Sequence, residues 1–174
     1  KYIKALSNHF IAPGGDLVIS NVQDIQLQGE NSVRTIIDGD KITSDKVIIA
    51  SGAWSKNLIT KFGLKIPLES ERGYHIEFTK PQLYPKVPMM VTSKKFVITP
   101  MNGRVRAAGL VEFAGLKAGS RQGPIKLLRT QMKNLFPNLK YEEEIEWLGH
   151  RPALTDSLPM LGHINKEKRL FLAF

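Results

Sequence analysis

Most of this chain alternates apolar and polar residues with a period of two, and the pattern breaks once into a continuous apolar run, Val47-Ile48-Ile49-Ala50. Alternation predicts strands with one covered face, as in an antiparallel sheet. A short continuous run predicts a strand covered on both faces. The two patterns together point to a mixed α+β or α/β fold. Alternating segments lie at 17–27, 33–37, 73–79, 96–99, 104–113 and 141–147, with a short third piece around Ile42. Turn signals separate them: Gly29-Glu30-Asn31-Ser32, Asp38-Gly39 and Met101-Asn102-Gly103. In 104–113 the period places Val105, Ala107, Gly109, Val111 and Phe113 on one face. Pro81, Pro85 and Pro88 mark a stiff loop.

Three segments read as helices. Residues 1–10 look like the end of one, broken at Pro13-Gly14-Gly15. A second begins at Ser55, a fair N-cap, and stops at Gly63, where a C′ glycine belongs. The third opens at Pro124, repeats Ile125, Leu128, Met132, Leu135 and Phe136 at helical spacing, and ends at Pro137-Asn138. Glu142, Glu143, Glu144 and Glu146 read as a solvated strand edge, and an irregular segment starts at Gly149-His150-Arg151-Pro152.

Composition removes several function classes. The 174 residues are 42% hydrophobic and 24% charged, which is ordinary for a globular domain. Without cysteine there is no disulfide framework, Fe–S site, thiolate zinc site or Cys nucleophile. His9, His75, His150 and His163 do not fall at metal-ligand spacing, so no metal site is expected. No serine sits in a G-x-S-x-G elbow, and there is neither a P-loop nor a G-x-G-x-x-G. The net charge of +9 comes from scattered bases with no interleaved aromatics, so nucleic acid is not an expected partner. No apolar stretch reaches the ~20 residues of a membrane span, and no signal peptide opens the chain. Both ends read as cut, since the chain starts on Lys1 inside a helix and stops in the apolar run Leu170-Phe171-Leu172-Ala173-Phe174.

Two places remain for chemistry. Ser51-Gly52-Ala53-Trp54 follows the apolar run at the carboxyl end of a strand, where ligands bind in open α/β sheets. Its glycine serves either a tight strand-to-helix turn or close backbone approach to a nucleotide. Arg151 stands among His150, Pro152 and Trp147 rather than on a polar helix face. It is either a structural clamp or a fork for a carboxylate, whose two oxygens match parallel guanidinium donors.

The run 48–55, followed by Leu68-Glu69-Ser70-Glu71-Arg72-Gly73-Tyr74-His75 and by the R-P-x-x-x-D-x-x-P-x-x-G element from Arg151 to Gly162, resembles the FAD-dependent D-amino-acid dehydrogenases. These belong with D-amino-acid oxidase, glycine oxidase and sarcosine oxidase. The resemblance covers residues from about 6 to 174. It implies a mixed antiparallel substrate-domain sheet with helices, flanked by pieces of a Rossmann-like FAD-binding domain: 1–66 and 149–174 in the FAD-binding domain, 67–148 in the substrate domain. It implies FAD as cofactor, met by Val22, Ser51, Gly52, Trp54 and Gly162. It implies that Arg151 holds the substrate carboxylate and, more loosely, that Arg72, Tyr74 and His75 face the substrate. The family's dinucleotide fingerprint and its terminal flavin segment fall outside this chain, so a fragment is expected.

The chemistry implied is oxidative deamination of a D-amino acid: hydride passes from Cα to flavin N5, and the imino acid hydrolyses to a 2-oxo acid and ammonia. Glycine, sarcosine, proline or a 2-hydroxy acid are alternative substrates, and a non-catalytic module that kept the fold is the alternative of another class. Implied partners are a small amino-acid substrate and an electron acceptor, in the respiratory chain or elsewhere. The implied location is the cytoplasm, with peripheral association at the inner face of the membrane as an option. Oligomeric state is left open.

Overall fold

The structure, a computed structural model, describes residues 2–164 and 167–174. Lys1, the first residue of the expected opening helix, lies outside the described residues. The chain divides into two compact units, Lys1–Ile48 with Gly162–Leu172, and Ile49–Leu161 with Ala173–Phe174.

In the first unit, α1 (Tyr2–Ile11) precedes a meander of β1 (Val22–Gln28), β2 (Ser32–Ile37) and β3 (Asp40–Ser44). Positive-φ glycines, Gly29 and Gly39, close its two hairpins. Ile25, Val33 and Ile37 are buried, as the period of two requires. The face of α1 carrying Tyr2, Ile3, Leu6 and Phe10 stays exposed within this chain. Asp38 accepts from the Asn21 backbone N–H at 2.9 Å, which holds its carboxyl below the ordinary value with help from Gln23 and Ser20. A second sheet orders β10 (Leu161–Ile164), β11 (Glu167–Ala173) and β4 (Val47–Ile49). On β11, Arg169 donates to Gly29 O at 2.9 Å and to Ser32 O at 3.2 Å, tying this strand to the β1–β2 turn. It also grips Glu167, whose carboxyl is lowered to about 2. The continuous run at 47–50 predicts burial on both faces. Instead β4 alternates: Ile49 is 3% exposed and Ile48 66%, because only one face of the strand is covered within this chain.

In the second unit, the predicted helix at 55–63 forms as a short sequence of turns: 3₁₀ at Gly52–Trp54, α2 at Ser55–Ile59, and 3₁₀ again at Thr60–Phe62. Gly63 ends it at φ 76°, as expected for a C′ glycine. Ser55 does not cap it. Its hydroxyl is buried and bonds Ser51 Oγ at 3.0 Å, while Trp54 holds the N-cap position.

The body of this unit is an antiparallel five-stranded sheet in the order β6-β7-β8-β5-β9. Its strands are β5 (Glu69–Thr79), β6 (Met89–Val91), β7 (Phe96–Met101), β8 (Arg104–Phe113) and β9 (Glu144–Ala153). α3 (Gln122–Leu135) covers one face with Ile125, Leu128 and Met132 against Tyr74, Ile76, Phe78, Phe96, Ile98, Val105 and Ala107. From α3, Arg129 reaches Glu144 at 2.6 Å and Glu146 at 2.7 Å. These two carboxylates are therefore clamps between helix and strand rather than a solvated edge, and Glu142 pairs with Lys80 at 3.0 Å.

Two features of this sheet differ from the sequence pattern. First, β9 runs on through the segment expected to be irregular, pairing Arg151 with Glu71 and Pro152 with Ser70. A proline is tolerated there because β9 is an edge strand with no partner beyond it. Second, β8 does not keep Val105 to Phe113 on one face. The register with β5 shifts between Tyr74 and His75, where Gly109 is the extra residue. Val105 and Ala107 face α3, whereas beyond the bulge Leu110 takes that side and Val111 and Phe113 come out exposed on the other. Only glycine fits the bulge: φ is 139°, and a Cβ would lie 2.8 Å from Phe96 Cα and 2.9 Å from Lys95 O.

Candidate functional site

The face of the sheet away from α3 is open. Strand parity and register put Glu71, Gly73, His75 and Glu77 of β5 beside Arg151, Gly149, Trp147 and Ile145 of β9. Val111 and Phe113 join them through the bulge in β8. Gly73 opposes Gly149, so the middle of this face has no side-chain floor of its own, and the Trp147 ring lies across it. The result is a cavity of about 390 Å³ bordered by Glu71, Gly73, His75, Val111, Trp147 and Arg151. A second cavity of about 380 Å³ lies toward Leu154, Ser157, Leu158 and Phe174. Arg151 and Glu71 border both.

At one end of the face Arg151 and Glu71 form a side-on pair, Nη2 to Oε1 at 2.5 Å and Nε to Oε2 at 3.0 Å. The arginine side chain is 69% exposed and the glutamate 18%. The guanidinium is thus an accessible fork with one edge already braced. Toward the other end His75 stacks on Trp147, with centroids 4.5 Å apart and planes 15° from parallel. Beyond it the buried Glu77 is held by Arg104 at 2.7 Å and Arg106 at 2.6 Å. Burial alone would push the Glu77 carboxyl up, but the two arginines outweigh it and hold it below the ordinary carboxylate value. His75 Nε2 lies 3.4 Å from Glu77. Burial against Trp147 and the Arg106 charge lower the imidazole from its ordinary 6.5, and Glu77 opposes them only in part.

That lowering predicts a pH dependence. The folded value lies below the unfolded one, so the stability His75 contributes is present above pH 6.5 and is lost as pH falls toward the lowered folded value. His75→Phe keeps a stacked ring and removes the proton. Between about pH 7.5 and about pH 5.5 the native protein should lose more melting temperature than this variant. Equal losses in thermal melts would show that His75 titrates at its ordinary value.

Arg72 and Tyr74, expected at the substrate, have their polar ends on the opposite face. Residues 72 and 74 share a strand parity that 75 does not, so the three cannot all look the same way. Arg72 is fully buried, donating to Gly119 O at 2.7 Å and lying 3.2 Å from Glu112. The Tyr74 hydroxyl donates to Glu112 at 2.6 Å and accepts from the Arg121 N–H at 3.1 Å. These groups pin the 114–121 loop. Tyr74 borders the open-face cavity as well, but of the three only His75 stacks its ring on Trp147 there.

The 51–54 turn docks behind the same strand. Trp54 meets His150 edge-on at 5.2 Å, and His150 Nδ1 is 2.8 Å from Ser70 Oγ. A Cβ on Gly52 would have Pro152 as its nearest neighbour at 3.9 Å. His150 and Pro152 therefore hold the turn from one side of β9 while Arg151, between them, points to the other. Val22 and Gly162 belong to the first unit; both are exposed, and Gly162 has φ 133°. Reading the sequence alone missed Glu71, Trp147 and the Glu77–Arg104–Arg106 cluster. The register between β5 and β9 is what brings the first two to the site.

Comparisons with known proteins identify the family. A family profile described as FAD dependent oxidoreductase (DAO) matches residues 1–174. A D-amino-acid oxidase of Bradyrhizobium diazoefficiens is 35% identical over 99% of this chain and 42% of its own length. A D-amino acid dehydrogenase of Rhizobium rhizogenes is 27% identical over the same shares. The chain thus spans less than half the length of these curated relatives. Among solved structures, glycine oxidase of Bacillus cereus superposes with a TM-score of 0.77 at 22% identity, covering 98% of this chain and 47% of that one. The profile match over the whole sequence places this chain in the FAD-dependent oxidoreductase family.

Proposed function

We propose that this chain supplies the substrate side of an enzyme that oxidises D-amino acids to 2-oxo acids and ammonia. The observation that carries the proposal is the Arg151 fork, exposed on the open sheet face at the junction of two cavities. Its free edge suits a carboxylate held by two parallel donors. The D-amino-acid oxidase and dehydrogenase among the relatives support the choice of substrate class.

Residues of this chain fit part of FAD. Gly52 adopts φ 55° in a turn where a Cβ would meet no atom closer than 3.9 Å, leaving room for backbone approach to a ligand. Ser51, Gly52 and half-exposed Trp54 would hold the nucleotide portion. When bound, the flavin supplies the acceptor for the hydride that leaves Cα. The chain's own share is positional. Arg151 fixes the carboxylate and thereby the direction of Cα–H, and such orientation accounts for a large part of catalysis of this kind. Gly73 leaves space over the sheet for the substrate, Gly149 seats the Trp147 ring, and Val111 and Trp147 border the space with apolar surface that excludes water.

The test is an absorbance titration of the full-length protein with individual D-amino acids, without oxygen. Bleaching of the flavin band by D- but not L-amino acids is expected; a spectrum indifferent to every D-amino acid overturns the proposal. Adding oxygen in one arm and an artificial acceptor in another separates oxidase from dehydrogenase behaviour. For the cofactor, Gly52→Val should lose flavin retention, since a β-branched residue is strained at positive φ and would block the approach. Wild-type flavin content together with wild-type melting would remove the turn from the cofactor site.

A further inference from the structure

We infer that Glu71 is the residue that recognises the substrate's amino group, so that Arg151 and Glu71 together read a zwitterion. This rests on the D-amino-acid reading above. A guanidinium carries five N–H donors in a planar fork. The side-on pair uses Nε–H and one Nη2–H. Among the described residues nothing else engages Arg151, so the edge formed by Nη1 and the second Nη2 hydrogen faces outward. A substrate carboxylate can take that edge without displacing Glu71.

Glu71 has capacity to spare as well. An ionised carboxylate offers about four acceptor positions, and Arg151 occupies two of them. Among the described residues it is the sole carboxylate bordering either cavity. On the same face of β5, Glu69 borders neither cavity, and Glu77 is buried and spent on Arg104 and Arg106. His75, lowered below its ordinary value and stacked on Trp147, offers no anion. The two charges of an α-amino acid sit on neighbouring atoms of one carbon. A ligand whose carboxylate is fixed on Arg151 therefore carries its ammonium within reach of the partner next to that arginine. Glu71 occupies that place because β5 and β9 pair residue 71 with residue 151 across the sheet. The pair thus favours an amino acid over a plain carboxylate or a 2-hydroxy acid of the same shape.

Glu71→Gln in the full-length holoenzyme tests this, because an amide keeps the shape and one acceptor for Arg151 but loses the charge. Two ligands are compared: the D-amino acid that bleaches the flavin fastest, and the simple carboxylate lacking its amino group (propionate for D-alanine). Binding is read as perturbation of the flavin spectrum and as competitive inhibition. The expected result is a split: kcat/KM for the amino acid falls at least tenfold, while the dissociation constant of the plain carboxylate is unchanged or tightens. Glu71→Asp, which keeps the charge, should recover part of the loss and stands in if the amide variant fails to fold. Parallel weakening of both ligands would mean that Glu71 only braces Arg151, and no change in either would mean that it faces nothing; both outcomes overturn the assignment while leaving the D-amino-acid reading intact. A wild-type protein that binds neither ligand overturns that reading and the Glu71 assignment with it.

Discussion

Arg151→Met in the full-length protein is expected to lower kcat/KM for D-amino acids by tenfold to over a hundredfold while flavin content and melting temperature stay near wild type. A charge-assisted pair with the substrate carboxylate is worth ~1.5–3 kcal/mol, which converts to roughly that range of rate before any misorientation of Cα is counted. The stability side stays quiet for a separate reason. Arg151 is 69% exposed, and its pair with Glu71 is of the kind that contributes about 0–1 kcal/mol to folding. Arg151→Lys should recover only part of the activity, because a point charge cannot reproduce a two-donor edge. Steady-state kinetics, flavin absorbance and a thermal melt on the same preparations decide it. Near-normal kcat/KM with normal flavin would remove Arg151 from substrate binding.

Arg72→Met should do the reverse. Arg72 is fully buried beside Glu112, and breaking a buried pair from one side costs about 3–5 kcal/mol because the remaining charge loses its partner. For a protein of this size that corresponds to a fall in melting temperature of roughly 10 °C. Glu112 keeps a contact with Arg121 at 3.7 Å and the Tyr74 hydroxyl, which places the loss toward the lower end. Replacing Arg72 and Glu112 together by apolar residues should recover part of it, since the stranded charge is then gone. If Arg72→Met melted like wild type but raised KM for the amino acid, Arg72 would belong to the substrate after all.

Much of the architecture is legible in the residues because it rests on local rules. The hairpins at 22–44 follow from period-two burial and glycine turns, and α3 follows from Ile125, Leu128 and Met132 recurring at helical spacing. What escapes depends on pairing between distant segments. Nothing near Pro152 says that its strand lies at an edge, which is what allows β9 to continue through Arg151. Nothing near Glu71 says that it will lie opposite residue 151, eighty positions away. Ser55 shows a related limit: a good N-cap type is drawn instead into a buried hydroxyl pair with Ser51, because the 3₁₀ turn before it moves the helix start. Resemblance points Arg72 and Tyr74 to the site, although the parity of their own strand already separates them from His75.

The bulge at Gly109 works as a parity switch. An ordinary strand commits all its odd residues to one side, so a segment buried at one end of its odd face is buried at the other. One surplus residue frees the two halves of β8 from each other: Val105 and Ala107 can be chosen for the packing against α3, and Val111 and Phe113 for what lies over the open face. Removing that single glycine would therefore leave both faces as they are, because Ala108 and Leu110 already stand opposite His75 and Tyr74 and would simply become neighbours. Ironing the bulge flat with the residue kept would act as an exchange instead. Val111 would inherit the place of Leu110 against the helix, Leu110 would turn toward the cavity, and Glu112 would be carried away from Arg72.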